Sequence, residues 1–415
     1  MGVYRPPNVG RLCLRHCSHT LLHMTVESSQ IATWRADFPA LKEYIWFQNG
    51  GVSITPSPVA IEHNRLMQEL LNRGPMHIVH PEDEIPRRQD TLNKLASFFS
   101  VAPQDICLMR GVSEAFQTVL RGMDWNAGDQ IIITEDEEAA LLLPVLHLRD
   151  RYDVEVIKAP LIDGEVEQLE AISDLFTERT RLLAISHVTT DLGFRLPVAP
   201  ICKRAKQRGI RSFVDLAHSA GLYTISLKDL HCDYAGILSY KWMYAPYASG
   251  LLYVNPKSEH TLEVTFAGGR SEKKLDFVND SYELRDSAER FQYGPWSWPL
   301  VHSWAFTIDY LNGVGFHTIW ARTNELTLML KDGLKSIPGV ELYTPYSTNL
   351  SAALVSFGLA NWKGSDLVKE LRKRHNILIK CLPHTREGLR ASVTYFNLDS
   401  EIELLINAVR DLASE

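Results

Sequence analysis

The sequence predicts an α/β protein: a large domain on a mostly parallel, seven-stranded sheet, followed by a smaller α+β domain. Three observations lead there. Short, continuously apolar runs alternate with helical patterns between about residues 100 and 255, as a sheet covered by helices on both faces requires. Most of these runs are four to six residues long, too short for helices. After a long helical stretch at about 315–335 the alternation stops and a shorter, mixed pattern takes over.

Strands are predicted at 106–110, 130–134, 154–157, 182–186, 212–215, 234–238 and 251–254, with helices such as 114–123, 138–149 and 200–207 between them. A Trp-rich loop carrying Trp296 and Trp298 precedes the long helix. In the smaller domain, strands are predicted at 352–357 and 378–381, and helices at 365–374 and 400–412. The chain of 415 residues is long enough for two domains. The expected division is a leader or disordered tail at 1–30, a large domain at 31–310 and a small domain at 311–415.

Composition excludes several classes. The chain is 45% hydrophobic and 22% charged, ordinary for a soluble globular protein. A net charge of −7 gives no basic footprint, so no nucleic-acid partner is expected. No apolar run approaches the roughly 20 residues that span a bilayer. Six cysteines in a chain this long are no disulfide framework and point to a reducing, cytoplasmic compartment. The first residues carry Arg5, Arg11 and Arg15 with no acidic residue before Glu27. That composition resembles a transit peptide, while a plain tail, or a start at Met24, reads as well. Cys13, His16, Cys17 and His19 do not have the spacing of a structural zinc site, and no metal is expected.

The chemistry-bearing residues sit at predicted strand ends, where ligands bind in such sheets. Lys241 lies in Ser239-Tyr240-Lys241-Trp242, just past an apolar run. A lysine in an apolar pocket loses its charge more easily than one in water, and the neutral amine adds to aldehydes to form a Schiff base. Asp215 ends another apolar run, in Val214-Asp215-Leu216-Ala217-His218. A carboxylate so placed can hold a pyridine nitrogen protonated. The two together describe a site for pyridoxal 5'-phosphate. Gly111-Val112-Ser113-Glu114 opens a helix after a strand, so its amides and the Ser113 hydroxyl attract a phosphate.

The stretch from Asp215 to Gly250 resembles the class V aminotransferase family of fold-type I pyridoxal-phosphate enzymes, which includes cysteine desulfurases, C–S lyases, kynureninases and isopenicillin N epimerase-like proteins. The likeness runs from about Tyr44 to the C-terminus. It implies Lys241 as the catalytic Schiff-base lysine and Asp215 as the pyridinium partner. His218 and Thr190 then lie near the phenolic oxygen, with Gly111, Val112, Ser113 and Ser239 on the phosphate. Arg390, in Gly388-Leu389-Arg390-Ala391-Ser392, implies a clamp on the substrate carboxylate, since its fork matches two oxygens. Asn49 and the loop residues His384 and Arg386 are expected at the substrate. Two positions depart from the family: Glu138 stands where relatives stack a ring on the cofactor, and Pro295 where they place a threonine on the other subunit's phosphate, with Ser297 a substitute. The resemblance also implies a homodimer.

The expected reaction is on a free L-amino acid: a C–S or related β-elimination, with transamination or epimerisation as alternatives. A desulfurase would use Cys381, which reads as part of a strand, and buried cysteines are usually inert. The departures at Glu138 and Pro295 also admit a non-catalytic protein on the same fold.

Overall fold

All seven strands expected of the large sheet form, within a residue or two of their predicted ends. The computed structural model describes residues 26–382 and 386–415. The cluster at 13–19 and His384 lie outside these. The first helix among the described residues is Ser28–Ala36, which begins inside the span expected to be a leader. It is held because Ile31 and Trp34 are buried in a cluster with Tyr395 and Phe396.

The first strand, β1 (Ile45–Phe47), is followed by β2 (Ile106–Met109), β3 (Gln130–Thr134), β4 (Glu155–Ala159), β5 (Thr180–Ser186), β6 (Arg211–Asp215), β7 (Tyr234–Leu238) and β8 (Gly250–Val254). The hairpin β9 (Glu272–Asp276) and β10 (Ser281–Leu284) comes next, then β11 (Val340–Leu342), β12 (Leu354–Leu359), β13 (Ile377–Cys381) and β14 (Leu389–Ser392). The large sheet has the order β2-β8-β7-β6-β5-β3-β4. Only β8 runs against its neighbours; every other pair is parallel.

Successive side chains of a strand point to opposite faces, and the apolar runs use both. Ile131 and Ile133 enter the core on one face, while Ile132 enters the core on the other. Leu182 and Ala184 divide from Leu183 and Ile185 in the same way. Hence the runs are continuous rather than alternating. The helix Val112–Gly122 lays Val112, Ala115, Phe116 and Val119 onto this sheet, at helical spacing. A Cβ on Gly250 would meet Gly111 Cα at 2.8 Å, so glycine there lets the start of that helix press against β8.

The second sheet has the order β1-β13-β14-β12-β11. This sheet takes in a strand from near the start of the chain. β1, taken with the large domain, pairs in parallel with β13, because Phe47 buries in the core formed by β12, β13 and the helices Phe316–Lys335 and Asp399–Ala413. The Trp-rich segment is corrected: Trp298 begins a helix, Trp298–Val314.

Candidate active site

The carboxyl ends of the large sheet open into a cleft of about 610 Å3, bounded by β13 of the second sheet. Three of the four consecutive acids after β3, Asp136, Glu137 and Glu138, shape it. Asp136 accepts from the Asp191 and Leu192 amides at 3.0 and 2.7 Å, which pins the loop carrying Thr190. Glu137 accepts from Thr134 Oγ1 at 2.7 Å and from the Ser186 amide at 3.1 Å. Its burial pushes the carboxyl up to about 8. Glu138 alone turns into the cleft, where its Oε2 accepts from Thr190 Oγ1 at 2.7 Å.

Lys241 lines the same cleft, and its Nζ lies 3.2 Å from His218 Nε2. Burial pushes the amine down to about 8, against the pull of Glu138 and Asp215. Asp215 closes the floor at the end of β6 and accepts from the Ala217 amide at 2.7 Å. Burial raises it to about 6, opposed by that amide and by Lys241. His218 is kept neutral first by burial and then by the nearby positive Lys241 and Arg390. At the other end, Gly111, Val112 and Ser113 line the wall, and no side chain caps the first turn of their helix. Its free amides are a ready anion site.

Arg390 is fully buried on β14. One terminal nitrogen donates to the Thr190 carbonyl at 2.6 Å, while Nε and the other terminal nitrogen have no partner among the described residues. Gly50 lies against it: a Cβ there would meet Arg390 NH2 at 3.2 Å and Ser392 Oγ at 2.8 Å. Lys380, which sequence reasoning missed, also lines the cleft and pairs with Asp191 at 3.1 Å. The sequence alone does not show this, because it depends on strand pairing. Lys380 is the register partner of Arg390 across β13 and β14, so the two stand on one face.

Three expectations are corrected. Ser239 does not line the cleft: its hydroxyl donates to the Pro246 carbonyl at 2.7 Å and accepts from Ser249 at 2.8 Å, because the chain turning back toward β8 buries that carbonyl beside it. Arg386 is exposed, beside Glu341 at 3.9 Å and over the Tyr343 ring, and does not line the cleft. Asn49 is buried and donates to the Lys241 carbonyl at 3.3 Å. It props the lysine's backbone, while its neighbours Gly50 and Gly51 line the cleft.

The donor set fits pyridoxal phosphate. A partly neutral amine faces an acid buried on the floor, and uncapped helix amides offer a place for phosphate. An unpaired guanidinium edge remains for a carboxylate. Fold and site together define a pyridoxal-phosphate enzyme of the fold-type I kind. The model of the aminotransferase class-V family matches residues 45–405, and the chain belongs to that family. Among curated relatives, a probable cysteine desulfurase of Methanothermobacter thermautotrophicus is 28% identical over 396 residues, covering 91% of this chain and 97% of the relative. Another from Synechocystis sp. is 28% identical over 410 residues, covering 92% and 95%. The apo cysteine desulfurase of Thermococcus onnurineus NA1 shares the fold with a TM-score of 0.83 and 24% identity, over 92% of this chain and 98% of that one. The cystine C–S lyase C-DES, in complex with cysteine persulfide, gives 0.82 and 23%, over 90% and 99%.

Proposed function

We propose that this protein is a C–S β-lyase acting on a free amino acid with sulfur at Cβ, cysteine or cystine. The observation that separates it from a desulfurase is the direction of Cys381. Side chains alternate along β13: Lys380 faces the cleft, so Cys381 faces away. A Cβ on Gly364 of the helix Gly364–His375 would meet Cys381 Sγ at 3.0 Å, which places the thiol against that helix. Burial and then Glu387 raise its pKa, the wrong direction for a nucleophile. The other cysteines among the described residues, Cys107, Cys202 and Cys232, are buried and none lines the cleft.

When bound, pyridoxal phosphate supplies an electron sink for negative charge at the substrate Cα. The chain does the rest. The amides of Val112 and Ser113 and the Ser113 hydroxyl would hold the phosphate, and Asp215 would keep a proton on the ring nitrogen. Arg390 orients the α-carboxylate. Lys241 Nζ, as a free amine, would take the Cα proton. Loss of that proton and of the Cβ–S bond, whose sulfur departs with the bonding pair and a proton as hydrogen sulfide from cysteine or as cysteine persulfide from cystine, would leave a three-carbon unit that water converts to ammonia and pyruvate. The relatives named above fit a desulfurase as well, and one variant separates the two. Cys381→Ala is expected to keep ammonia and pyruvate release within about twofold of the unmodified protein. Abolished sulfur release in that variant would restore the desulfurase reading, and activity that requires a keto acid would establish transamination.

The same reading includes a homodimer. The helices Ser57–Arg73, Met76–Val79 and Pro81–Phe98 expose Ile61, Leu71, Ile78 and Ile85, each 60% or more accessible. Large apolar side chains gathered on neighbouring helices mark an interaction face, and a second copy of the chain is the occupant the family implies. Sedimentation should give a dimer for the unmodified protein and a folded monomer for Leu71→Glu combined with Ile78→Glu. A monomer without those changes would refute it.

A further inference from the structure

Glu138 is a cleft carboxylate that the lyase chemistry leaves without a task. It stands at the start of the helix Ala139–Tyr152 but its side chain makes no capping bond there. Its single hydrogen bond among the described residues comes from the Thr190 hydroxyl. The carbonyl of the same Thr190 accepts from Arg390. One residue therefore fixes an anion with its side chain and a cation with its backbone. Glu138 and Arg390 form no ion pair with each other, and among the described residues no cation sits within ion-pair distance of Glu138. Burial alone would favour its neutral form. Lys241, the Thr190 hydroxyl, Lys380 and Arg390 outweigh burial and hold it below the usual carboxylate range. An acid held ionised in this way is a poor proton carrier near neutral pH, so it acts through its charge. Lys241, the strongest of its attractions, is also the amine that the reaction occupies, so it is no permanent counter-ion.

We propose that Glu138 and Arg390 together read the zwitterionic head of a free amino acid, Glu138 taking the ammonium group and Arg390 the carboxylate, with Thr190 as the fixed spacer. The inference rests on the reading of this cleft as an amino-acid site and adds a recognition element to it. Both charges have desolvated, hydrogen-bonded supports, the condition under which a charge-assisted contact discriminates well. Acids without the amine, and amino acids blocked at nitrogen, are disfavoured: they place no cation against Glu138.

The test uses the holoenzyme after borohydride reduction, which ties the cofactor to Lys241 so that no amine exchange occurs. Calorimetry then compares alanine with propionate, which differ at the amino group. The unmodified protein should bind alanine at least about tenfold more tightly. In Glu138→Gln the preference should vanish, through weaker alanine binding with propionate unchanged or tighter. Thr190→Val, which keeps the charge but frees the carboxylate, should narrow the preference without abolishing it. Glu138→Met serves as a second variant if the first does not fold. An intact preference in a folded, cofactor-loaded Glu138 variant overturns the inference and leaves the enzyme reading standing. Unmodified protein that captures no cofactor overturns both.

Discussion

Lys241→Ala should abolish the visible absorbance band of the cofactor-loaded protein and lower turnover by about 10⁴-fold or more. In the mechanism proposed above two functions end together, because Lys241 Nζ would both hold the cofactor and move the Cα proton. The environment also fixes how the unmodified protein loads. Burial pushes the amine down to about 8, with Glu138 and Asp215 opposing, and only the neutral amine attacks an aldehyde. The rate of cofactor capture should therefore climb with pH and level off above about 8. Stopped-flow absorbance across that range checks the profile. Lys241→Arg keeps the positive charge but supplies no attacking amine, so it should fail as fully as alanine. A normal visible band in either variant would move the covalent site elsewhere.

That Lys241 could be singled out from sequence has a physical basis. Its partners Asp215 and His218 lie close in the chain, at the ends of adjacent parallel strands β6 and β7. Those strands bury both faces, so they show as unbroken apolar runs. The hairpin β9 and β10 is mostly exposed and shows no such run, which is why no strand was expected there. β1, three residues long, is too short to show a pattern. Site residues became obscure wherever their placement depends on contacts distant in sequence. Lys380 enters the cleft only through its register with Arg390. Ser239 was expected on the phosphate from its place before Lys241, but the Pro246 carbonyl captures its hydroxyl. Arg386 sits in a loop whose sequence resembles substrate contacts, yet the ring of Tyr343 beneath it draws it to the surface. Glu138 was legible as a departure but not as a charged contact, since its meaning lies in Thr190 and Arg390, both far along the chain.

Arg390→Met is expected to separate function from stability. In the substrate-free protein the guanidinium is fully buried with two nitrogen positions unpaired, and each unmet buried donor costs about 1–3 kcal/mol. Burial accordingly lowers its pKa, with Asp191 and Glu138 opposing. Methionine occupies a similar length without donors to desolvate. The change forfeits one bond to the Thr190 carbonyl and leaves Glu138 with one distant cation fewer. On balance the substrate-free variant should melt at or above the temperature of the unmodified protein, as removal of imperfectly paired buried charge often allows. Substrate binding should move the other way. A two-point contact with the carboxylate, made in a desolvated pocket, is worth about 3–5 kcal/mol, so kcat/KM should fall by about 10²–10⁴-fold. Cofactor uptake, which the proposed mechanism assigns to Lys241, Asp215 and the amides at Val112 and Ser113, should be unchanged. Thermal melts, cofactor titration and kinetics on one preparation test all three parts. A variant that melts well below the unmodified protein would mean that Arg390 serves the fold, and its unpaired edge would then not be a reserved carboxylate site.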